Sequence, residues 1–489
     1  MNQPNVIIIM SDQMKATASH LYGSAFCQTP SLERMANEGV LFKHAVTPHP
    51  LCVPCRISFW TSQFPHSHGG RRNQTLMPGD AMHAFKLWKA AGYRCGLIGK
   101  NHCFEEESDF DLFDVWCEIG HGGLPRDAAT KGMDWFRSRE SINAAHAVRK
   151  NMPETSPQFS YAVSDFPLKD YSTGLVAGQT VRFLEQFGND PFALWVSIPD
   201  PHTPYECPER YAIAPDDVVM PPWRADEYSD VTAPERNRVL HAMIGVEEDS
   251  IEDVKGCVGV YHGMVRFLDD GVGQILDALD RLNLRENTIV VFCADHGDFS
   301  GEHAQIAKGG AFYDCLTRVP LIVSWPGRVP QGVVDESCVN LIDIVPTVLQ
   351  LQGFDVPRSM HGEGLPTVTD AAPRDAAFSE YGAGGPAFTM ADLEQLEKPW
   401  GRRAIGQSLQ WREAEGRRKM VRTAEWKYVH DPMGDRDELY DLVNDPWELY
   451  NVMDNADHRD IIVDLQLKLA DWSIRTEDAR PVPMPARGI

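Results

Sequence analysis

The chain has 489 residues, of which 43% are hydrophobic, and it carries a formal net charge of −24 at pH 7. Its length predicts about two to three domains with room for a large core. The acidic balance argues against nucleic acid or an anionic membrane as a partner, although a few basic groups in a cleft can still bind a small anionic substrate.

The first apolar run and the number of cysteines indicate where in the cell the protein is expected. Residues 6–10 are apolar, but this run is too short to span a membrane and has neither a basic leader nor a cleavage site beside it. The eleven cysteines are an odd number and, without an export signal, they argue against a disulfide framework. We therefore expect a cytoplasmic protein without a membrane span.

Apolar runs along the chain predict a parallel sheet. Four of them do not alternate between polar and apolar residues, which is typical of strands buried on both faces. They cover residues 6–10, 94–98, 192–198 and 288–293, and shorter strands are predicted at 40–46 and 320–324. Helices are predicted at residues 30–38, 54–63, 81–91, 180–187, 257–282 and 343–351. The expected fold class is α/β, with a large, mostly parallel sheet sandwiched by helices.

Composition changes indicate loops and a second domain. Residues 104–167 have weak periodicity and are expected to form loops and insertions, whereas the proline-rich and acidic residues 203–248 suggest a surface excursion or a lid. Beyond about residue 370 the pattern changes to short alternations with tryptophans. We therefore predict a catalytic domain at 1–370 and a smaller α+β subdomain at 371–489, with short antiparallel strands and a terminal helix.

The pentad Cys52-Val53-Pro54-Cys55-Arg56 concentrates reactive groups near a predicted helix N-terminus. Pro54 presets φ for a first helical position, so Cys52 would lie just ahead of the helix, where free N–H groups favour an anion. Arg56 adds a guanidinium that can hold an oxyanion at two points. Three interpretations remain open: a buried thiol beside a structural arginine, a Cys-x-x-Cys redox or zinc pair of Cys52 and Cys55, and a nucleophile that acts on an anionic group.

Four predicted buried strands are each followed at once by a polar side chain that could carry chemistry. These side chains are Asp12, Lys100, His202 and Asp295. In an open parallel sheet the carboxyl ends of the strands meet at one edge, and ligands bind in the crevice there. We therefore expect these four residues to lie together.

The residue types at this edge suit a metal ion and an anion. Carboxylates and an imidazole can hold one divalent cation, for which the candidates are Asp12, Asp295, His296 and, more weakly, Gln13. Cationic side chains would clamp the remaining oxygens of an anionic group, for which the candidates are Arg56, Lys100 and Lys308. Imidazoles titrate near neutrality, so His102 and His202 are candidates for proton transfer.

These segments together resemble the type I sulfatases of the alkaline phosphatase superfamily. Cys52, Pro54 and Arg56 match the Cys-x-Pro-x-Arg signature of that family, and Lys100 and His102 match its Gly-Lys-x-His motif. The other matching segments are residues 5–12, 201–204, 295–298 with 301–303 and Lys308, 343–347, and 438–442 with 445–446 and Glu448. The resemblance implies an alkaline phosphatase-like fold.

The resemblance also implies a role for each site residue. A maturation enzyme would convert Cys52 to formylglycine, and one oxygen of its hydrate would attack the sulfur of a small anionic sulfate ester. The metal would be held by Asp12, Gln13, Asp295, His296 and residue 52. Arg56 would steady the nucleophile, and Lys100 and Lys308 would bind sulfate oxygens. His202 or Lys308 would protonate the leaving alcohol or phenol, and His102 would help to expel sulfate and restore the aldehyde.

Two departures from the family pattern concern the metal site and the substrate. Gln13 and His296 stand where many sulfatases have aspartate and asparagine, which is more similar to phosphonate monoester hydrolases and choline-sulfatase-like members and makes Mn²⁺ as plausible as Ca²⁺. Lys100 and His102 favour a sulfate ester, since the phosphonate hydrolases lack that motif. The alternatives are a phosphonate monoester or phosphodiester hydrolase, a Cys-x-x-Cys thiol-disulfide protein, and an inactive binding relative. We also expect a homo-oligomer, either a dimer or a tetramer, and no role is assigned to Cys55.

Overall fold

The computed structural model describes residues 3–104, 107–124, 130–152, 160–229, 233–246 and 251–477. Its strands are β1 (Asn5–Ser11), β2 (Gly39–Val46), β3 (Arg94–Gly99), β4 (Val115–Glu118), β5 (Tyr161–Ser164), β6 (Phe192–Ile198), β7 (Tyr205–Pro208), β8 (Thr288–Ala294), β9 (Arg318–Val319), β10 (Leu321–Ser324), β11 (Val333–Asn340), β12 (Ala377–Tyr381), β13 (Arg418–Arg422), β14 (Trp426–His430) and β15 (Glu438–Asp441). Its helices are α1 (Pro30–Asn37), α2 (Cys52–Thr61), α3 (Pro65–His68), α4 (Ala84–Ala90), α5 (Glu107–Phe110), α6 (Arg139–Lys150), α7 (Ser172–Phe187), α8 (Glu235–Ile244), α9 (Ile251–Arg281), α10 (Asp314–Thr317), α11 (Ile344–Leu351), α12 (Met390–Leu393), α13 (Gly401–Ala414) and α14 (Arg459–Thr476).

A nine-stranded, mostly parallel sheet forms the centre of the molecule. Its strand order is β11-β2-β10-β8-β1-β6-β3-β4, and β9 pairs with β2. β1 is parallel to both β6 and β8, and β3 is parallel to β6 and β4. β10 runs antiparallel between β8 and β2. The α/β fold class predicted from the uninterrupted apolar runs is therefore confirmed.

The central strands are apolar because helices cover the sheet. Every residue of β1, β6 and β8 is buried, as expected for strands that contact helices on both faces. The long helix α9 packs against α1 and α7. Trp60 of α2 packs its indole edge against Trp88 of α4 and Trp195 of β6. This packing holds α2 against the sheet.

A second sheet lies in the C-terminal part of the chain. It has four antiparallel strands in the order β12-β13-β14-β15. α14 contacts β13 and β14, and its Trp472 stacks on Phe378 of β12 with ring centroids 4.9 Å apart. Short antiparallel strands and a terminal helix are present as predicted, while the domain boundary at residue 370 stays a prediction and residues 478–489 lie outside the described part.

The prediction that residues 104–167 form only loops and insertions is wrong. This stretch contains α5, β4, α6 and β5, and β4 pairs with β3 at the edge of the central sheet. β4 has only four residues, which is too short for a clear periodic signal. Residues 203–248 likewise contain the buried strand β7 and the helix α8. Residues 105–106, 125–129, 153–159, 230–232 and 247–250 lie outside the described part.

Several predicted helix starts were also wrong. α2 begins at Cys52, because Leu51 is extended and its carbonyl accepts the first helical hydrogen bond from the Cys55 N–H at 3.1 Å. Pro54 is therefore the third helical residue, where its missing N–H costs nothing. α4 begins at Ala84 rather than Ala81, and α9 already begins at Ile251.

The predicted start of α7 also needs correction. α7 begins at Ser172 rather than Thr180, and in its first turn an added Cβ at Gly174 would lie 2.0 Å from the Leu168 carbonyl oxygen. At the start of α1 the Thr29 hydroxyl makes no cap hydrogen bond and contacts the Ser19 hydroxyl at 2.6 Å. α1 ends at Asn37, and Gly39 opens β2. Within the described residues, no helix combines the length and the apolar character needed to cross a lipid bilayer.

Candidate active site

The predicted edge of the sheet brings the functional side chains together. Parallel-strand hydrogen bonds continue one residue past each strand: the Asp12 N–H donates to the Ile198 carbonyl at 3.0 Å and the Lys100 N–H to the Ser197 carbonyl at 2.8 Å. The Asp295 N–H donates to the Ser11 carbonyl at 3.2 Å. The residues that follow β1, β3 and β8 are thus held in register at a single edge.

Arg56 forms hydrogen bonds to the residues that follow two of these strands. Its Nη2 donates to Asp12 Oδ2 at 2.8 Å and its Nε to Asp295 Oδ2 at 3.0 Å. Its Nη1 donates to the Ser197 hydroxyl at 2.8 Å and to the Lys100 carbonyl at 3.2 Å. Each of its three nitrogens forms a hydrogen bond and the side chain is fully buried, so Arg56 holds the two carboxylates in position.

The second oxygens of these two carboxylates face a cluster suited to a cation. Asp12, Cys52, Asp295 and His296 each offer a donor atom, and these atoms lie within 4.8 Å of one another. His296 Nδ1 donates to the Gly297 carbonyl at 3.0 Å, so Nε2 carries no hydrogen in the neutral ring and has the lone pair that a metal ligand needs. All four side chains are buried.

Gln13 completes this donor set with an unsatisfied oxygen. Its amide nitrogen donates to Asp298, and its backbone N–H donates to Asp295 Oδ1 at 3.0 Å. Its Oε1 is buried and has no hydrogen-bond partner among the described residues. A buried carbonyl without a partner is costly. A divalent cation beside Asp12 and Asp295 would supply that partner, so the residues present fit a metal ion.

Cys52 lies at the N-terminus of α2 against a set of basic groups. Its Sγ is 2.9 Å from Lys308 Nζ, 3.1 Å from His296 Nε2 and 3.8 Å from Asp12 Oδ1. Burial would raise the pKa of this thiol, but Lys100, Lys308, His296 and His102 outweigh it and hold the pKa well below its usual value. Position 52 is therefore built to carry negative charge.

Lys308 and His202 form a pair beside the Cys52 thiol. Lys308 Nζ is 3.0 Å from His202 Nε2. His202 Nδ1 contacts the Thr203 carbonyl, which can only accept, so Nδ1 carries the hydrogen and Nε2 accepts from the lysine. Burial lowers the pKa of His202 to about 4 with the help of the Lys308 charge. Lys308 therefore holds the proton of this pair.

The second predicted lysine and histidine lie on the other side of the thiol. Lys100 is buried and its ammonium pairs with Asp12. His102 is exposed, with φ at 63°, and lies close enough to lower the pKa of Cys52. All the residues predicted for the site are thus brought together, although their roles stay predictions.

Sequence reasoning missed His121. Its Nε2 accepts from Lys100 Nζ at 2.7 Å, and its ring stacks on His202 with centroids 3.8 Å apart. It follows β4 closely, so it obeys the same strand-end rule, but β4 itself was not recognised. His121 and His202 also offer donor atoms within 4.8 Å of a carboxylate oxygen of Asp12.

Cys55 does not belong to the reactive group. It is buried one turn into α2, where the Thr47 hydroxyl donates to its Sγ at 3.2 Å. Burial and the Asp295 carboxylate raise its pKa well above the usual value. The two cysteines of the pentad therefore have different neighbours: Cys52 contacts Lys308 and His296, whereas Cys55 contacts Thr47.

Comparisons with known proteins agree with this geometry. A family model described as Sulfatase matches residues 4–354. The chain is 25% identical to an arylsulfatase of Clostridium perfringens, over 94% of this chain and 92% of that protein. It is also 25% identical to a choline-sulfatase of Rhizobium meliloti, over 98% of this chain and 88% of that protein. Among solved structures, a phosphonate monoester hydrolase of Agrobacterium radiobacter superposes with a TM-score of 0.75 at 23% identity, covering 97% of this chain and 96% of that one.

Proposed function

Because the chain belongs to the sulfatase family, whose members are sulfuric ester hydrolases, we propose that it hydrolyses a small sulfate monoester with a formylglycine made from Cys52. The observation that carries this proposal is the position of residue 52. It lies at a helix N-terminus, within 4.8 Å of the donor atoms of Asp12, Asp295 and His296, and 2.9 Å from the Lys308 ammonium. A formylglycine there supplies, as its hydrate, an oxygen nucleophile and a second hydroxyl through which sulfate can be released.

A single divalent cation would be held by Asp12, Gln13, Asp295, His296 and residue 52. When bound, it supplies positive charge that lowers the pKa of a nearby hydroxyl and offsets charge on the ester oxygens. Carboxylate and amide oxygens suit Ca²⁺, while the His296 nitrogen suits Mn²⁺ equally well. The unpartnered Gln13 Oε1 supports this assignment.

The remaining site residues either hold other groups in position or transfer a proton. Arg56 fixes both carboxylates, since its nitrogens are engaged with Asp12, Asp295 and Ser197. Lys100 stands on the Asp12 side of the thiol and Lys308 on the His296 side. The two ammonium groups would neutralise the sulfate oxygens.

Lys308 is the group we assign as proton donor to the leaving oxygen, with His202 behind it. Its ammonium holds the proton of the pair, because His202 Nε2 accepts from it. His102, exposed at the entrance, can take the proton of the second hydroxyl as sulfate departs. Attack by one hydrate oxygen would break the S–O bond to the leaving alcohol, which gains a proton. Loss of the proton from the second hydroxyl would then break the C–O bond to sulfate and restore the aldehyde. One water, which hydrates the aldehyde again, is consumed in each turnover.

A phosphonate monoester hydrolase is the second candidate. The fold supports it, because a phosphonate monoester hydrolase structure covers nearly the whole chain. That likeness concerns the fold alone, and the presence of both Lys100 and His102 beside residue 52 favours the sulfate ester. We also propose that the enzyme acts in the cytoplasm as a dimer or tetramer, which light scattering and cell fractionation would test.

A pair of substrates with the same leaving group tests the proposal. The protein is co-expressed with a formylglycine-generating enzyme, and release of 4-nitrophenol is followed from 4-nitrophenyl sulfate and from 4-nitrophenyl phenylphosphonate. We expect the sulfate ester to have the higher kcat/KM, and Cys52→Ala to abolish turnover of both esters.

The matched control is Cys55→Ser, which alters the other cysteine of the pentad and should keep turnover within about threefold, because changes away from the reacting groups have small effects. A higher kcat/KM for the phosphonate would favour the second candidate. Turnover that persists in Cys52→Ala would exclude residue 52 as the nucleophile.

A further inference from the structure

A cavity of about 250 Å³ lies directly beside the nucleophile position. Lys308, whose Nζ is 2.9 Å from Cys52 Sγ, lines it, as does Leu51, the residue before Cys52. Thr203 and Pro204, which follow His202, form another part of its wall. The group that leaves a sulfur atom attacked from residue 52 would therefore enter this cavity.

Most of the cavity wall is apolar. Aliphatic side chains come from several separate segments of the chain: Leu51, Pro204, Ile244, Ile306, Ile405 and Leu409. Its volume is near the lower end of the range for small-molecule sites. An apolar wall of this kind stabilises an apolar ring.

One charged side chain on this wall, Arg412, forms no salt bridge with a carboxylate among the described residues. Ile405, Leu409 and Arg412 lie on one face of α13, because they follow each other at helical spacing. Arg412 lines the cavity and is 6% exposed. Among the described residues, its hydrogen-bond acceptor is the Met243 sulfur at 4.0 Å, which is a weak acceptor.

The neighbouring carboxylate, Glu413, also lines the cavity, but both of its oxygens accept hydrogen bonds from Asn73. Glu413 Oε2 accepts from the Asn73 N–H at 2.8 Å and its Oε1 from the Asn73 side-chain amide at 3.1 Å. Asn73 Oδ1 in turn accepts from the Val53 N–H at the start of α2 at 3.2 Å. This chain of hydrogen bonds fixes α13 against the nucleophile helix and leaves the Arg412 guanidinium facing the cavity.

We propose that the leaving group of the substrate is an apolar ring, a phenol or an alicyclic alcohol, that carries a carboxylate bound by Arg412. The aliphatic wall would hold the ring, Lys308 would face the ester oxygen, and Arg412 would pair with the carboxylate in two hydrogen bonds. A buried guanidinium without a counter-ion is costly, and this substrate would supply one. The inference rests on the proposed function, because it assumes that the ester sulfur lies at residue 52.

Equilibrium binding of the leaving alcohols tests the cavity without requiring turnover. Calorimetry compares 3-hydroxybenzoate, 4-hydroxybenzoate and 4-hydroxyphenylacetate with the corresponding neutral amides, which have nearly the same shape. We expect at least one carboxylate to bind about tenfold more tightly than its amide, as for a desolvated charge-assisted pair. Arg412→Gln should remove this preference, and Arg412→Lys should restore part of it.

The matched control is Arg417→Gln, which removes an exposed arginine a short way further along the chain and should leave the preference unchanged. Equal affinity for each carboxylate and its amide in the unaltered enzyme would overturn the proposal. A preference that survives Arg412→Gln would overturn it as well, and circular dichroism of each variant establishes that the fold is intact.

Turnover of the sulfate esters of the same alcohols separates this inference from the proposed function. The carboxylate-to-amide ratio of kcat/KM is compared between the unaltered enzyme and Arg412→Gln, so that differences in leaving-group reactivity cancel. A ratio that falls about tenfold in the variant supports the proposal. Hydrolysis of 4-nitrophenyl sulfate with no Arg412-dependent ratio would overturn the cavity assignment alone. Arg412-dependent binding without hydrolysis of any sulfate ester supports the cavity assignment and counts against the proposed function.

Discussion

Two clusters of buried charges in this molecule differ in how completely their charges are paired. The inter-sheet cluster consists of Asp314, Arg318, Arg422, Lys427 and Glu448. The edge cluster consists of Asp12, Arg56, Lys100, Asp295 and Lys308. Both are largely buried, so burial alone does not tell a structural cluster from a reactive one.

In the inter-sheet cluster every cation meets a carboxylate. Arg422 pairs with Asp314 through two hydrogen bonds of 2.9 Å, and Arg318 joins at 2.9 Å. Lys427 lies 2.8 Å from Asp314 and also contacts Glu448. Burial would raise the pKa of Asp314, but these cations hold it well below its usual value. This cluster joins strands of the two sheets, and each of its three cations is paired with a carboxylate.

In the edge cluster, the lysine beside the nucleophile position forms no salt bridge with a carboxylate among the described residues. Lys308 is surrounded by a thiol and two imidazoles instead of a carboxylate. Gln13 Oε1 has no partner among the described residues. Incomplete pairing costs stability, and the metal ion and anionic substrate would complete it. The missing partners, and not the buried charges themselves, therefore distinguish the active site from the structural cluster.

Lys308→Met gives the largest expected effect and tests the edge cluster. The change keeps the length of the side chain and removes its charge, so kcat/KM for 4-nitrophenyl sulfate should fall about 10²–10³-fold, as for loss of a group that stabilises a transition state. Stability to urea should change little, since Lys308 contacts a thiol and two imidazoles and forms no salt bridge with a carboxylate among the described residues. A loss of stability with unchanged kinetics would contradict the assignment of Lys308 to catalysis.

Lys427→Met is the matched change in the inter-sheet cluster. It leaves Asp314 and Glu448 with fewer cations, so the free energy of unfolding should fall by about 3–5 kcal/mol, as expected when one partner of a buried ion pair is removed. Urea denaturation measures this loss. The kcat per folded molecule should change little. A large fall in kcat would contradict a purely structural role for the inter-sheet cluster.

The strand-end rule shows what sequence could predict here. Uninterrupted apolar runs locate β1, β3, β6 and β8, because such runs suit strands covered on both faces. The polar residue after each run then falls at one edge. The same rule would have found His121, but β4 is a short strand at the sheet edge and gives no periodic signal.

The cavity wall could not be predicted for a different reason. Arg412 and Leu409 lie on α13, far along the chain from the residues of the edge cluster. Their contacts with the cavity depend on tertiary packing. Cys55 and Cys52 look alike in sequence, and only the surrounding charges distinguish their pKa values: Lys100 and Lys308 lower the pKa of Cys52, whereas burial and Asp295 raise that of Cys55.

Gln13→Leu should weaken the metal site about 10–100-fold, which is typical for the loss of one group at a metal centre. The substitution removes the unpartnered Oε1 and keeps a side chain of similar size. Isothermal titration of the metal-free protein with Mn²⁺ and Ca²⁺ measures the affinity. Gln395→Leu at an exposed position is the control, and equal affinities for both variants would exclude Gln13 as a ligand.

His121→Asn should have the smallest effect on turnover, a fall of about tenfold in kcat/KM, since a group that only orients others contributes less than one that contacts the substrate. The imidazole holds the Lys100 ammonium at 2.7 Å and supports the His202 ring, so its loss disturbs the position of both groups. His121→Gln should restore part of the rate by supplying an acceptor for Lys100. Steady-state kinetics on 4-nitrophenyl sulfate would measure both effects. An unchanged rate in His121→Asn would show that His121 does not contribute to catalysis.

The central claim is that position 52 becomes an aldehyde surrounded by a cation and basic side chains. The most direct measurement is a peptide mass spectrum across residue 52 in preparations with different degrees of maturation, each assayed for sulfate ester hydrolysis. We predict that specific activity rises in proportion to the fraction of formylglycine and is zero where all of residue 52 remains a thiol. Full activity in protein with unmodified Cys52 would contradict the account.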